Sequence, residues 1–119
     1  MPTIETLGHI NKRTHFSCTG NTHDGVILHF TNNQKITGDF FQAIMSNFRG
    51  RTIPGGFGMT TPSPDGLGEW VQTNSRLLNS ISLTPRHASF IAAIMVHEGL
   101  ITSFLEGNAV YLKFPKPID

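Results

Sequence analysis

Six histidines, one cysteine and a few serines and carboxylates are the groups in this 119-residue chain that could do chemistry, and their spacing limits which chemistry is open. His15, His23 and His29 fall in one stretch, and Asp24 would add a carboxylate to their imidazoles. No H-x-x-x-H or C-x-x-C pair sets a chelating spacing, so no metal site is expected. Ser17, His29 and Asp24 compose a hydrolytic triad on paper, but no G-x-S-x-G elbow presents the serine. Cys18 alternates with Phe16 on the apolar side of a strand, with no helix N-terminus ahead of it to lower its pKa. Its expected role is a small buried hydrophobe. Gly50 and Gly55 have the glycine spacing of a P-loop, yet Gly56 and Phe57 stand where Lys and Ser or Thr would be needed. No cofactor is expected, and a small hydrolase with histidine or metal chemistry stays open as a third class with no motif behind it.

The basic residues are more informative. From Trp70 through His97 there is no Asp or Glu, whereas Arg76, Arg86, His87 and His97 all occur, and Arg49 and Arg51 flank Gly50. Lys plus Arg number 9 against 8 Asp plus Glu, a formal net charge of +1. That is low for a protein that binds chiefly by neutralising phosphates, so a positive face would have to be local. Arg49-Gly50-Arg51 has the core of a minor-groove AT-hook, but Thr52 replaces its proline. A glycine helix cap flanked by cations is the plainer reading, since positive charge suits a helix C-terminus.

These residues must be positioned by a fold, and a chain of this length reads as one domain spanning 1–119. A lone cysteine excludes an internal disulfide. No apolar run approaches the length of a membrane span, and MPTIETLGHINKR lacks the apolar core of a leader. A soluble, cytoplasmic protein with no membrane partner is expected.

Residues 1–12 carry no period and read as irregular. Phe16 and Cys18, then Val26, Leu28 and Phe30, alternate against His15, Ser17, Ile27, His29 and Thr31. This predicts a hairpin whose loop, Thr19 to Gly25, holds Asp24-Gly25. Asn32-Asn33 turns the chain into a short strand over Lys35 to Thr37. Asp39, with Gln42 three residues on, is expected to open a helix whose buried stripe is Phe41, Ile44, Met45 and Phe48, ending at Gly50. Residues 51–66 hold too many breakers for more than a short strand at Thr52 and Ile53. A second helix after Asp65 is expected to keep Leu67, Trp70, Val71, Leu77 and Leu78 on one face and to stop near Asn79. Thr84-Pro85 reads as an N-cap followed by proline at the first helical position. In that third helix Ile91, Ile94 and Met95 face inward with Ala88 and Phe90 at their margins, and Arg86, Ser89, Ala93 and His97 face solvent. Gly99 closes it. Residues 100–105 and 109–114 are two strands around Gly107-Asn108. The class is α+β: an N-terminal β-hairpin or short meander over 1–37, then a three-helix unit with a C-terminal hairpin over 39–114.

The stretch Ser82-Leu83-Thr84-Pro85-Arg86-His87, leading through Ile91 and Ile94 to Gly99-Leu100-Ile101 and a hairpin, resembles the winged helix-turn-helix superfamily. The resemblance runs from Asp39 to Phe114. It implies that the third helix enters a DNA major groove, with Thr84, Arg86, His87 and Ser89 as contacts and Ala93 allowing close approach. The wing tip would be Glu106, Gly107 and Asn108. Arg86 is placed to read guanine, while Arg76, Arg49 and Arg51 would supply charge. The leading expectation is a small DNA-binding protein, a regulator or an accessory to a DNA-processing system, with duplex DNA as partner. A homodimer would suit it, because symmetric dimers read two half-sites. The alternative is a protein-docking or self-association module that uses the N-terminal hairpin edge or the loop at Phe57. A positive strip over Arg86, Arg76, Arg49 and Arg51 would favour DNA, and a neutral apolar patch would favour docking.

Overall fold

A computed structural model of the chain describes residues 3–7, 15–29, 34–56, 65–79, 82–107 and 109–116. Phe30, Thr31, Asn32, Asn33, Phe57 and Asn108 lie outside them, and so does the loop expected around Phe57. The elements are β1 (Thr3–Glu5), β2 (His15–Asn21), β3 (Gly25–Leu28), β4 (Lys35–Ile36), α1 (Gly38–Phe48), β5 (Thr52–Pro54), α2 (Leu67–Asn79), α3 (Pro85–His97), β6 (Thr102–Glu106) and β7 (Ala109–Lys113). The α+β layout is as expected: antiparallel strands first, then three helices, then a strand pair within a sheet. No helix among the described residues is long and apolar enough to cross a membrane.

The first four strands form a meander, β1-β2-β3-β4, and the last three a second sheet in the order β5-β7-β6. β1 corrects the reading of residues 1–12 as irregular, since Ile4 pairs with Phe16 and is buried. Three residues with a single apolar side chain carry no periodic signal; the strand is created by its partner. β2 and β3 alternate as expected, with Phe16, Cys18, Val26 and Leu28 buried and Ile27 exposed. Their turn is tighter than expected, because β2 continues to Asn21.

α1 begins earlier than the capping pattern suggested. Thr37 is its N-cap and accepts from the Phe40 N–H at 3.1 Å, which leaves Asp39 in the first turn, where a negative charge suits the helix dipole. Its buried side is Phe40, Phe41, Ile44 and Phe48, while Met45 is only half-buried. Trp70 of α2 meets Phe40 and Phe48 at ring-centroid distances of 5.4 and 6.0 Å, and Phe48 meets Phe114 at 5.4 Å, so one aromatic chain joins α1, α2 and the end of β7. Gly50 follows with φ of +75°, a conformation that only glycine adopts at little cost.

In α2 the expected apolar face holds at Leu67 and Val71 and then fails. Leu77 is 84% exposed and Leu78 half so, and the positions four and eight beyond Val71 are Ser75 and Asn79, both buried. These polar residues are inside because they hold backbone in place. Ser75 Oγ accepts from the Leu83 N–H at 2.7 Å. Asn79 accepts from the Thr37 N–H and donates to the Lys35 carbonyl at 2.7 and 3.0 Å. Burial without such partners would be costly.

α3 starts at Thr84-Pro85 as expected. It buries Ile91, Ile94 and Met95, and also Ala88, Ala92 and Ala93. Ala93, expected to face solvent, is 2% exposed. The helix lies between α2 and the N-terminal sheet, and a helix packed on two sides loses the narrow apolar stripe that fixes its phase in a sequence.

Candidate functional site: the two ends of α3 and the C-terminal hairpin

The side chains expected to meet DNA divide between partners within the protein and solvent. At the start of α3, His87 closes a capping box with Thr84: its Nδ1 accepts from the Thr84 N–H at 3.0 Å and lies 2.9 Å from the Thr84 hydroxyl. Its Nε2 is 2.6 Å from Gln34 Oε1, so the Nε2–H donates there. Burial first, and the neighbouring Arg86 charge second, hold the His87 pKa below its ordinary value. His87 is therefore a neutral structural group that reaches across to the N-terminal sheet. The Ser89 hydroxyl donates to the Arg86 carbonyl at 2.7 Å. Arg86 itself is exposed, and so is Arg76 on α2.

The N-terminal sheet is fastened along the whole of α3. His87 to Gln34 is the first contact. In the middle, Phe90 packs edge-on against Phe16 at 5.0 Å. At the far end the Glu98 carboxylate takes the Thr22 N–H at 3.0 and 3.2 Å and the Thr22 hydroxyl at 2.7 Å. Ala93, on the same helix, is buried as well. Cys18 is buried in the same sheet, and burial first, then the Glu98 charge, push its thiol pKa up, which leaves it unreactive.

The remaining arginines do not form one strip with Arg86. Arg49 lines an open groove of about 530 Å³ together with Thr22, His23, Gln42, Leu100 and Lys116. No carboxylate lines this groove among the described residues. Arg51 lies on the other side of Gly50, with its guanidinium 5.5 Å from the Phe48 ring centroid, and lines a second groove with Asp65 and Glu69. Leu100, in the first groove, follows the C-terminal end of α3, whereas Arg86 is in its first turn, and 13 residues of helix span about 20 Å. Two lysines that the sequence reading did not select join Arg49 and Arg51. Lys113 pairs in register with Thr52, and hydrogen bonds from the Gly50 N–H to the Pro115 carbonyl (3.0 Å) and from the Phe114 N–H to the Arg51 carbonyl (2.8 Å) bring Lys116 alongside. Of the described cations, only Lys35, Arg76 and Arg86 lie elsewhere.

The hairpin of β6 and β7 carries two exposed large apolar side chains, and Ile27 on β3 and Leu77 and Leu78 on α2 are others. Phe104 stacks on Tyr111 with ring centroids 5.5 Å apart and remains 44% exposed, and Leu105 on the opposite face is 41% exposed. Alternating strands ordinarily hide one face, so exposure of both marks a projecting hairpin. The signal was present in the sequence, as Phe104-Leu105 beside a turn, but that pair reads equally well as core. Among the described residues no cluster of three His, Cys, Asp or Glu could hold a metal ion. Comparison of the chain with protein-family models, characterised proteins and solved structures gives no match.

Proposed function

We propose that the chain is a protein-docking module on a winged-helix-type framework, whose partner is another protein surface rather than a DNA groove. The order helix, strand, helix, turn, helix, hairpin supports the framework. The observation that carries the docking reading is the cover along α3. A groove-reading helix must offer a continuous outward face. Here Gln34, Phe16 and Thr22 hold His87, Phe90 and Glu98 along one flank of the helix, and Ala93, on the outward side between Arg86 and His97, is buried, so the outward face is interrupted. The hairpin meanwhile exposes the stacked Phe104 and Tyr111 rings on one face and Leu105 on the other, apolar side chains of the kind that mark a protein contact.

A second reading has its own support: Arg49 and Lys116 line a groove in which no carboxylate is found among the described residues, and they would attract phosphates of any sequence. Selection from a randomised duplex library at low salt tests both. The docking reading expects no enriched motif, and any retardation to fall steeply with salt and to vanish in the Arg49→Ala/Lys116→Ala variant. Enrichment of one motif, with a footprint lost in Arg86→Ala, would overturn it and restore the groove-binding reading.

A further inference from the structure

We propose that the docking partner is a second copy of this chain, joined through antiparallel pairing of β6 with β6 across a two-fold axis that places Phe104 opposite Phe104. This rests on the docking reading. Among the described residues each sheet has two edge strands, and three of the four are blunted or very short: β1 has three residues, β4 has two and carries Lys35, and β5 ends on Pro54. β6 has five residues with no Lys, Arg, Pro or Gly, and four of them are exposed. An open edge with no proline, glycine or lysine in it is a template for another strand unless something blocks it.

The composition of β6 suits itself as that strand. Centring the pair on Phe104 keeps all of Thr102–Glu106 paired in both copies; any shift leaves residues unpaired. Within the hairpin Phe104 pairs with Tyr111, Thr102 with Lys113 and Leu105 with Val110. Residues directly opposite one another share a sheet face. The two-fold then forms a row of Tyr111, Phe104 and their copies on one face. Leu105 is set against Ser103 of the other copy on the opposite face, so both exposed apolar side chains gain cover. The flanking rows read Lys113, Thr102, then Glu106 of the other copy, which brings opposite charges across one small residue, twice per dimer. Both Glu106 and Lys113 are exposed in the single chain and are free to meet.

The experiment uses the full chain in sedimentation equilibrium, with four variants. Wild type is expected to be a dimer. Glu106→Lys and Lys113→Glu, both surface changes, should each weaken dimerisation about fivefold or more, and the double exchange should restore it. Phe104→Cys should form an interchain disulfide under mild oxidation, because Cα atoms of directly opposed antiparallel residues lie within disulfide range. A wild-type monomer at every concentration would overturn the proposal and, with an enriched duplex motif, the docking reading as well. A dimer indifferent to the charge exchange and to Phe104→Cys would overturn the β6 pairing while leaving docking by another surface in place.

Discussion

Replacing Asn79 separates two rules that conflict on α2. By helical spacing this position belongs to the apolar stripe of Leu67 and Val71, and Asn79→Leu would gain roughly 1.5–3 kcal/mol by area transfer alone. The side chain is 3% exposed, however, and satisfies two backbone groups, the Thr37 N–H at 2.7 Å and the Lys35 carbonyl at 3.0 Å. Each group left without a partner costs about 1–3 kcal/mol, and the half-exposed chain there lets water recover part of that. Asn79→Ala should therefore lose about 2–3 kcal/mol. Asn79→Leu should remain at least about 1 kcal/mol below wild type, because its added area only partly offsets two broken bonds and a loosened N-cap of α1. Denaturant unfolding followed by circular dichroism and by the fluorescence of Trp70, which packs on α1, measures both variants at unchanged slope. An Asn79→Leu protein as stable as wild type would refute the argument.

Two further outcomes follow from geometry. A Cβ on Gly68 would overlap the Gly56 carbonyl oxygen, and backbone cannot swing aside, so Gly68→Ala should lose about 3 kcal/mol despite alanine's better helix propensity; thermal unfolding checks it. His87 is held neutral in the fold, so the unfolded chain binds the extra proton first. Its contribution to stability is complete above its ordinary pKa and is lost as pH falls through the lowered one. His87→Gln keeps a capping partner for Thr84 that does not titrate, and it should flatten the fall in stability between neutral and mildly acidic pH; an unchanged slope would place the effect elsewhere.

What could be read in advance was whatever a segment decides alone. Thr84-Pro85, Gly50, Gly99 and the alternation of Phe16, Cys18, Val26 and Leu28 are local signals, and the elements they predict are present. The errors lie where a distant segment decides. Ala93 has no reason of its own to be inside until α2 and the N-terminal sheet pack on α3 from two sides. Ser75 and Asn79 are buried by backbone that they alone can satisfy, which displaces Leu77 and Leu78 to the surface. For the same reason the arginine set dispersed: Arg49 and Arg51 are two residues apart, but Gly50 turns the chain between them and sends each to a different groove. Lys113 and Lys116 escaped notice because only the pairing of β7 with β5 brings them there.

The fastening of the N-terminal sheet along α3 also bears on how the chain matures. Thr22 and Glu98 are 76 residues apart, so at ribosomal speeds of about 5–20 residues per second the strands wait roughly 4–15 s for the helix that covers them. During that interval the apolar side of β2 and β3 is complete but bare, and strand edges are free to join those of neighbouring nascent chains. Maturation is therefore a race between synthesis of α3 and encounter with other chains. Expression at high density should reduce the yield of soluble protein through this interval, and slower initiation, which spaces the nascent chains apart, should recover it.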